Sequence, residues 1–261
     1  MDTTLQSAVE GLLLPGETSR GLFVRRADLP DRRLDDLALS LFGSPGPIQV
    51  DGVGSSHSHT SKLMIVARAA RSGVDLDYTF RQIRVTEPTV DWSGNCGNLT
   101  SAVGAFGLLS GLLDPPAADG DWSVTLYNTN TDTRVDQQLR VEDGDPAVRG
   151  DYAIDGIAGT GARVDSTFVD PAGGVTGALF PTDEAHDTLA VDGDEYDVSL
   201  VDVATPNVFV RASDLGLSGT ELPATLRADE ELLSLVERIR GAGAVRMGLA
   251  ETPAEARTER P

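Results

Sequence analysis

With 261 residues, 40% of them hydrophobic, the chain can bury one large core or two modest ones. Its 28 Asp and 13 Glu against 21 basic residues give a formal charge of -20, so a nucleic-acid backbone or an anionic membrane is repelled over most of the surface. A single cysteine rules out an internal disulfide framework and fits a reducing cytosol.

The opening MDTTLQSAVEGLLLPG lacks a basic region, and its apolar run GLLL is too short for a secretory signal or a membrane span. A soluble, cytoplasmic protein is therefore expected. Beyond it, 28 Gly and 14 Pro separate short β-branched runs, which points to an α+β fold. In chain order the expected strands are RGLFVRR, KLMIVAR, DYTFRQIRV, WSVTLYNTNT, DQQLRVED, EYDVSLVDV and NVFVRA, several with apolar alternation. Three stretches have helical spacing instead. LPDRRLDDLALSLFG aligns Leu34, Leu37, Leu41 and Phe42 and stops at Gly43. NLTSAVGAFGLLSGLL aligns Leu99, Val103 and Phe106, so one helix is expected directly behind the cysteine. ADEELLSLVERIRGAG aligns Leu232, Leu235, Val236 and Ile239, with acidic residues in its first turn and arginines in its last, as the helix dipole favours. The Gly- and Pro-spaced segment 170–186 suits a junction, which divides the chain into residues 1–165 and 166–261. The end, AETPAEARTERP, reads as disordered.

The charged residues are scattered, and the basic ones are arginine throughout except for Lys62. That bias resembles proteins of salt-accumulating halophiles; a GC-rich genome gives the same signature. An exposed lysine snorkelling from a strand edge is the ordinary reading of such a residue. Against it, a surface that takes Arg twenty times has no electrostatic reason to take Lys once, whereas proton abstraction needs an amine that can lose its charge, which Arg cannot. An enclosed site is then required, because the acidic surface favours the charged form.

The only cysteine, Cys96, lies in VDWSGNCGN. Most free cysteines are small buried hydrophobes. Here the neighbours are Asn95, Gly97 and Asn98, with Asn98 a candidate N-cap for the helix that follows. Backbone amides at that end favour an anion, either a thiolate or a substrate carboxylate, and Gly94 and Gly97 leave room for its approach.

The segments PGETSRGLFVRRADLP, DGVGSSHSHTSKLMIVAR, LDYTFRQIRV, VDWSGNCGNLTSAVGAFG, GGVTGALFPT, VSLVDVATPNVFVRASDLGL and AVRMGLAETPAEA run in order from Pro15 to Ala256. Together they resemble the PrpF family, the 2-methylaconitate isomerases, whose relatives include methylitaconate isomerase and 4-oxalomesaconate tautomerase. The resemblance implies a diaminopimelate epimerase-like fold of two similar lobes, each a mixed β-sheet around a central helix, with the active site in a cleft between them. It also implies an unsaturated di- or tricarboxylate substrate and no metal or organic cofactor. Lys62 in TSK matches the family's proton-abstracting lysine, and Cys96 in GNCGN matches the thiol of the same site. Ser19, Arg20, Ser61, Asn95, Gly97, Asn98 and Thr205, the last from ATPN, are the candidate substrate contacts.

Two departures bear on this resemblance. GETSRG stands where GGTSKG is usual, which puts Glu17 and Arg20 at positions of Gly and Lys; an arginine there can clamp a carboxylate bidentately. GSSHSH places His57 and His59 near the base, as substrate contacts or loop histidines, since an H-x-H pair without a third ligand makes a poor metal site, and His186 in an acidic loop carries no role. Family members continue for about a hundred residues more, on the scale of an ordinary domain. The second lobe is thus expected to be incomplete, with an open sheet edge that a partner or a second copy would cover.

Three functions compete. The first is a cofactor-independent allylic isomerase with Lys62 as base and Cys96 as site thiol. The second, a two-thiol amino-acid epimerase, is opposed by the single cysteine. The third is a non-catalytic carboxylate-binding or vestigial homologue. A thiol hydrolase is weaker still, because Cys96 lacks an assignable His partner.

Overall fold

The alternation in KLMIVAR and its neighbours sends successive side chains to opposite faces of one sheet, and this division positions everything else. The computed structural model describes residues 8–92 and 94–259. The chain divides into two units, the first ending at Asp170 and the second starting at Pro171. The division falls after residue 165 because the strand at 164–168 pairs within the first unit.

The first unit holds β1 (Leu12–Gly16), β2 (Ser19–Arg25), α1 (Leu34–Phe42), β3 (Lys62–Arg68), β4 (Leu76–Ile83), β5 (Val90–Asp91), α2 (Gly97–Thr100), α3 (Val103–Leu109), β6 (Gly120–Asn128), β7 (Thr133–Glu142), β8 (Asp145–Pro146) and β9 (Val164–Phe168). Its nine strands form one mixed sheet in the order β1-β2-β3-β4-β6-β7-β8, with β5 on β4 and β9 on β7. The β2–β3 and β4–β6 pairs are parallel and the others antiparallel.

Each face of the sheet has its own core. Phe23, Met64, Val66, Leu76, Tyr78 and Phe80 pack against Cys96, Leu99, Val103 and Phe106 on the α2–α3 side. Leu22, Val24, Leu63, Ile65 and Ile83 pack against Ala38 and Phe42 of α1 on the other. Gly43 ends α1 in the left-handed region at φ 68°, the glycine stop that its sequence carries.

The long helix expected behind Cys96 is two short ones. Thr100 Oγ1 donates back to the Cys96 carbonyl at 3.0 Å, Ser101 Oγ to the Asn98 carbonyl at 2.6 Å, and the Ala102 amide bonds Leu99 three residues back. Hydroxyls that compete for the backbone in this way interrupt a helix, and Gly104 and Gly107 add no propensity to resist.

The second unit holds β10 (Asp187–Val191), β11 (Asp194–Val203), β12 (Thr205–Val210), α4 (Pro223–Ala228), α5 (Glu230–Arg246) and α6 (Pro253–Glu259). Its three strands are antiparallel, in the order β10-β11-β12. Leu189, Val191, Val198 and Leu200 face Ile239 and Met247 on one side of that sheet. Asp229 caps α5 by accepting from the Leu232 amide at 2.9 Å. Leu232 and Ile239 are buried as expected, whereas Val236, expected to face inward with them, is 41% exposed; Gly241, Gly243 and Ala244 complete the buried set of the helix. The tail expected to be disordered forms α6 over 253–259, anchored by fully buried Ala256. Fully buried Asp202 ties the 173–177 segment to β11, its Oδ2 accepting from the Val175 and Thr176 amides at 2.9 and 2.7 Å. Among the described residues no helix is long and apolar enough to cross a membrane.

Candidate active site

Lys62 opens β3 and Cys96 sits at the N-cap position of α2, and between them Lys62 Nζ lies 3.1 Å from Cys96 Sγ. Pleat parity explains the meeting. Lys62 shares its face of β3 with Met64 and Val66, which belong to the core that also contains Cys96. Cys96 is 7% exposed, Lys62 is half-buried, and Nζ stands 5.7 Å from the centre of the Phe80 ring, whose face favours a cation. A proton shared between amine and thiol at this distance can pass in either direction, which is the property required of an acid/base pair.

The turn around the thiol is held from several sides. Asn95 Oδ1 accepts from the Cys96 amide at 2.8 Å. Asn98, expected as an N-cap, lies within α2, and the capping position belongs to Cys96; the Asn98 side-chain Nδ2 instead donates to Thr18 Oγ1 at 2.7 Å and Ser19 Oγ at 3.3 Å. That bond joins α2 to the β1–β2 hairpin, which also presses on it through Gly16. A Cβ on Gly16 would lie 2.4 Å from the Asn98 carbonyl oxygen. Around Gly94 and Gly97 the opposite holds, since a Cβ at either meets nothing within 4 Å, so open space adjoins the thiol. With only four residues, α2 offers local amides rather than the field of a long helix, contrary to the sequence expectation.

Arg20 and Ser61 fall on the other pleat. Arg20 Nη2 donates to Ser55 Oγ, and Arg20 Nε is buried without a hydrogen-bond partner. Ser61 is fully buried, with its hydroxyl accepting from Gln49 Nε2 at 2.8 Å. Gln49 went unnoticed in the sequence. It is 1% exposed, adopts φ 45°, and its Oε1 accepts from the Ser56 amide, so it clasps the 49–56 loop onto the residue preceding Lys62. Only a polar residue between Ile48 and Val50 could have signalled it. Glu17 takes φ 47°, a left-handed conformation that suits the glycine of GGTSKG better than a glutamate.

His57 and His59 stack on each other at 5.1 Å between ring centres and are both exposed. Among the described residues no three His, Cys, Asp or Glu groups converge as metal ligands. Thr205 lies in the second unit at the start of β12, exposed, after Ala204 at φ 59°.

A family model described as PrpF protein matches residues 6–261. The 3-methylitaconate isomerase of Eubacterium barkeri is 38% identical over 98% of this chain and 67% of its own length. The 2-methyl-aconitate isomerase of Shewanella oneidensis is 37% identical over 94% of this chain and 65% of its own. A crystal structure of methylitaconate-delta-isomerase superposes with a TM-score of 0.78 at 37% identity, covering 97% of this chain and 65% of that one. The chain thus spans about two thirds of the length of the relatives it matches.

Proposed function

Because the chain belongs to the PrpF family, we propose that it is a cofactor-independent isomerase that moves a proton within an unsaturated di- or tricarboxylate, with Lys62 as base and Cys96 as its acid partner. The 3.1 Å contact between Nζ and Sγ carries the reading. Lys62 removes a proton from the carbon next to the C=C bond, the electron pair spreads through that bond into a carboxylate, and a proton returns at the far end of the allyl unit from Cys96. The half-buried setting keeps water from quenching the intermediate, and the amides beside Gly97 and Asn98 stabilise its negative charge. Asn98, two residues beyond the thiol, and Ser19, whose hydroxyl accepts from Asn98 Nδ2, are the carboxylate contacts that this arrangement favours. Arg20 and Ser61 hold the ends of β2 and β3 from the other pleat.

Proton NMR in D2O with methylitaconate and 2-methylaconitate tests this. Wild type should place deuterium at the allylic carbons, and Lys62→Arg should slow that exchange about 100- to 10,000-fold, the range of general acid–base catalysis. Exchange retained by Lys62→Arg rejects Lys62 as base. Calorimetric binding of these acids by wild type without any exchange would leave a carboxylate-binding protein in place of an enzyme.

A further inference from the structure

Tyr78 is the largest fully buried side chain among the described residues, and its ring would be replaced almost without loss of volume by phenylalanine. A hydroxyl on a ring packed in the cluster of Phe23, Met64, Leu99 and Phe106 costs stability unless it is hydrogen-bonded. Besides buried Asn128, its partners lie at the cysteine. Tyr78 Oη is 3.1 Å from Thr100 Oγ1 and 3.5 Å from Asn95 Oδ1. Thr100 Oγ1 donates to the Cys96 carbonyl at 3.0 Å, which leaves it to accept from Tyr78, so donation runs from Tyr78 to Thr100 to the peptide after Cys96. The peptide before Cys96 is held at its N–H by Asn95 Oδ1, 2.8 Å away, the same oxygen that Tyr78 approaches.

We propose that Tyr78 is a positioning residue for Cys96, holding through Thr100 the peptide that follows the thiol, while Asn95 holds the one before it, and thereby setting where Sγ stands against Lys62. The inference rests on the reading of Cys96 as a working group. The sheet supports it, because β4 carries Tyr78 and is paired to β3, which carries Lys62; Val66 lies opposite Tyr78 in that register. One strand pair therefore places both partners of the 3.1 Å contact, the amine directly and the thiol through a hydroxyl. Burial pushes the Tyr78 hydroxyl up from its ordinary pKa, and negative charge on Cys96 acts in the same direction, so the phenol stays a donor whatever the state of the thiol.

Alkylation by iodoacetamide reads Cys96 alone, since the chain has one cysteine. Its rate is followed against pH for wild type, Tyr78→Phe, Thr100→Val and Thr100→Ser, beside turnover of the unsaturated acids. Tyr78→Phe and Thr100→Val should change the alkylation rate about tenfold or more and displace its pH profile, as a misplaced reacting group does, while Thr100→Ser stays within about twofold of wild type. A Tyr78→Phe profile that superimposes on wild type overturns the proposal. Should that variant not fold, Thr100→Val matching Thr100→Ser overturns it and a difference between them supports it. Turnover absent from wild type rejects the isomerase reading, and the alkylation comparison is decided independently of it.

Discussion

Lys62 Nζ and Cys96 Sγ are 3.1 Å apart although 34 positions separate them in the chain, and no other side chain hydrogen bond of the described residues involves either terminal atom. In the proposed reaction these two atoms divide the proton work between them. If the amine takes the proton and the thiol returns it, Cys96→Ala should lower isomer formation about 100- to 10,000-fold and leave exchange at the carbon served by Lys62 less affected. Cys96→Ser should fall between. Proton NMR in D2O follows both quantities in one sample, and an equal loss of both would mean that thiol and amine act as a single base.

Gly16 tests how the hairpin holds the thiol. An added Cβ would meet the Asn98 carbonyl oxygen at 2.4 Å and Leu99 Cα at 2.9 Å, and backbone atoms cannot yield as a flexible side chain does. Gly16→Ala should cost about 1–3 kcal/mol in urea denaturation, the scale of overpacking, and should reduce turnover by moving Ser19 off Asn98. Gly97→Ala is the control. Open space around Gly97 predicts a stability change within about 0.5 kcal/mol, so turnover lost there reports room taken from the substrate.

The two residues of the pair were legible because each is the only one of its kind in the chain, and rarity survives without knowledge of the fold. Strands such as KLMIVAR were legible too, since alternation across a two-faced sheet leaves its mark on every second residue. Less of the surroundings could be read. A helix broken by Thr100 and Ser101 back-bonding has the same apolar spacing as an unbroken one, and the difference lies in hydroxyl geometry. The strand DTLAV went unread among acidic turn residues, and LLLPG was judged only as a signal segment although it pairs with β2. Gln49 and Tyr78 act through contacts made across long sequence separations, which no local pattern records.

On the face opposite the thiol, Arg81 is held by Asp35 and its guanidinium lies 4.5 Å from the centre of the Trp92 ring. Burial lowers the arginine's pKa despite Asp35, which marks an uncomfortable cation. Asp35→Ala should destabilise by about 1–2 kcal/mol, less than a fully buried pair because Asp35 is itself half exposed. Arg81→Met should cost less than Asp35→Ala, since it removes the charge with its partner's purpose. Denaturation followed by tryptophan fluorescence reads both; a larger loss for Arg81→Met would mean that the ring contact outweighs the ion pair.

Salt should stabilise the chain. A formal charge of -20 spread over the surface repels itself in dilute buffer, and added ions screen that repulsion over a Debye length of about 10 Å at 0.1 M. The melting temperature should rise steadily as KCl is added to molar concentration. A flat or falling curve would remove the halophilic interpretation and leave the acidic composition without a role in stability.

The last expectation concerns alkaline pH and Tyr78. Burial raises the pKa of this phenol above its unfolded value of about 10, so the folded state prefers the protonated form. Its contribution to stability is complete below the unfolded pKa and is lost as pH rises through the folded one, because the unfolded chain releases the proton first. Wild type should therefore show a fall in urea midpoint above about pH 10 that is smaller in Tyr78→Phe. In parallel, absorbance titration of the four tyrosines should contain one phenol that ionises late and is missing from Tyr78→Phe. Loss of that phenolic proton also breaks the donor chain to Thr100, so the alkylation rate of Cys96 should change over the same pH interval. A Cys96 profile that ignores the late ionisation would separate Tyr78 from the thiol and leave its hydroxyl a purely packing matter.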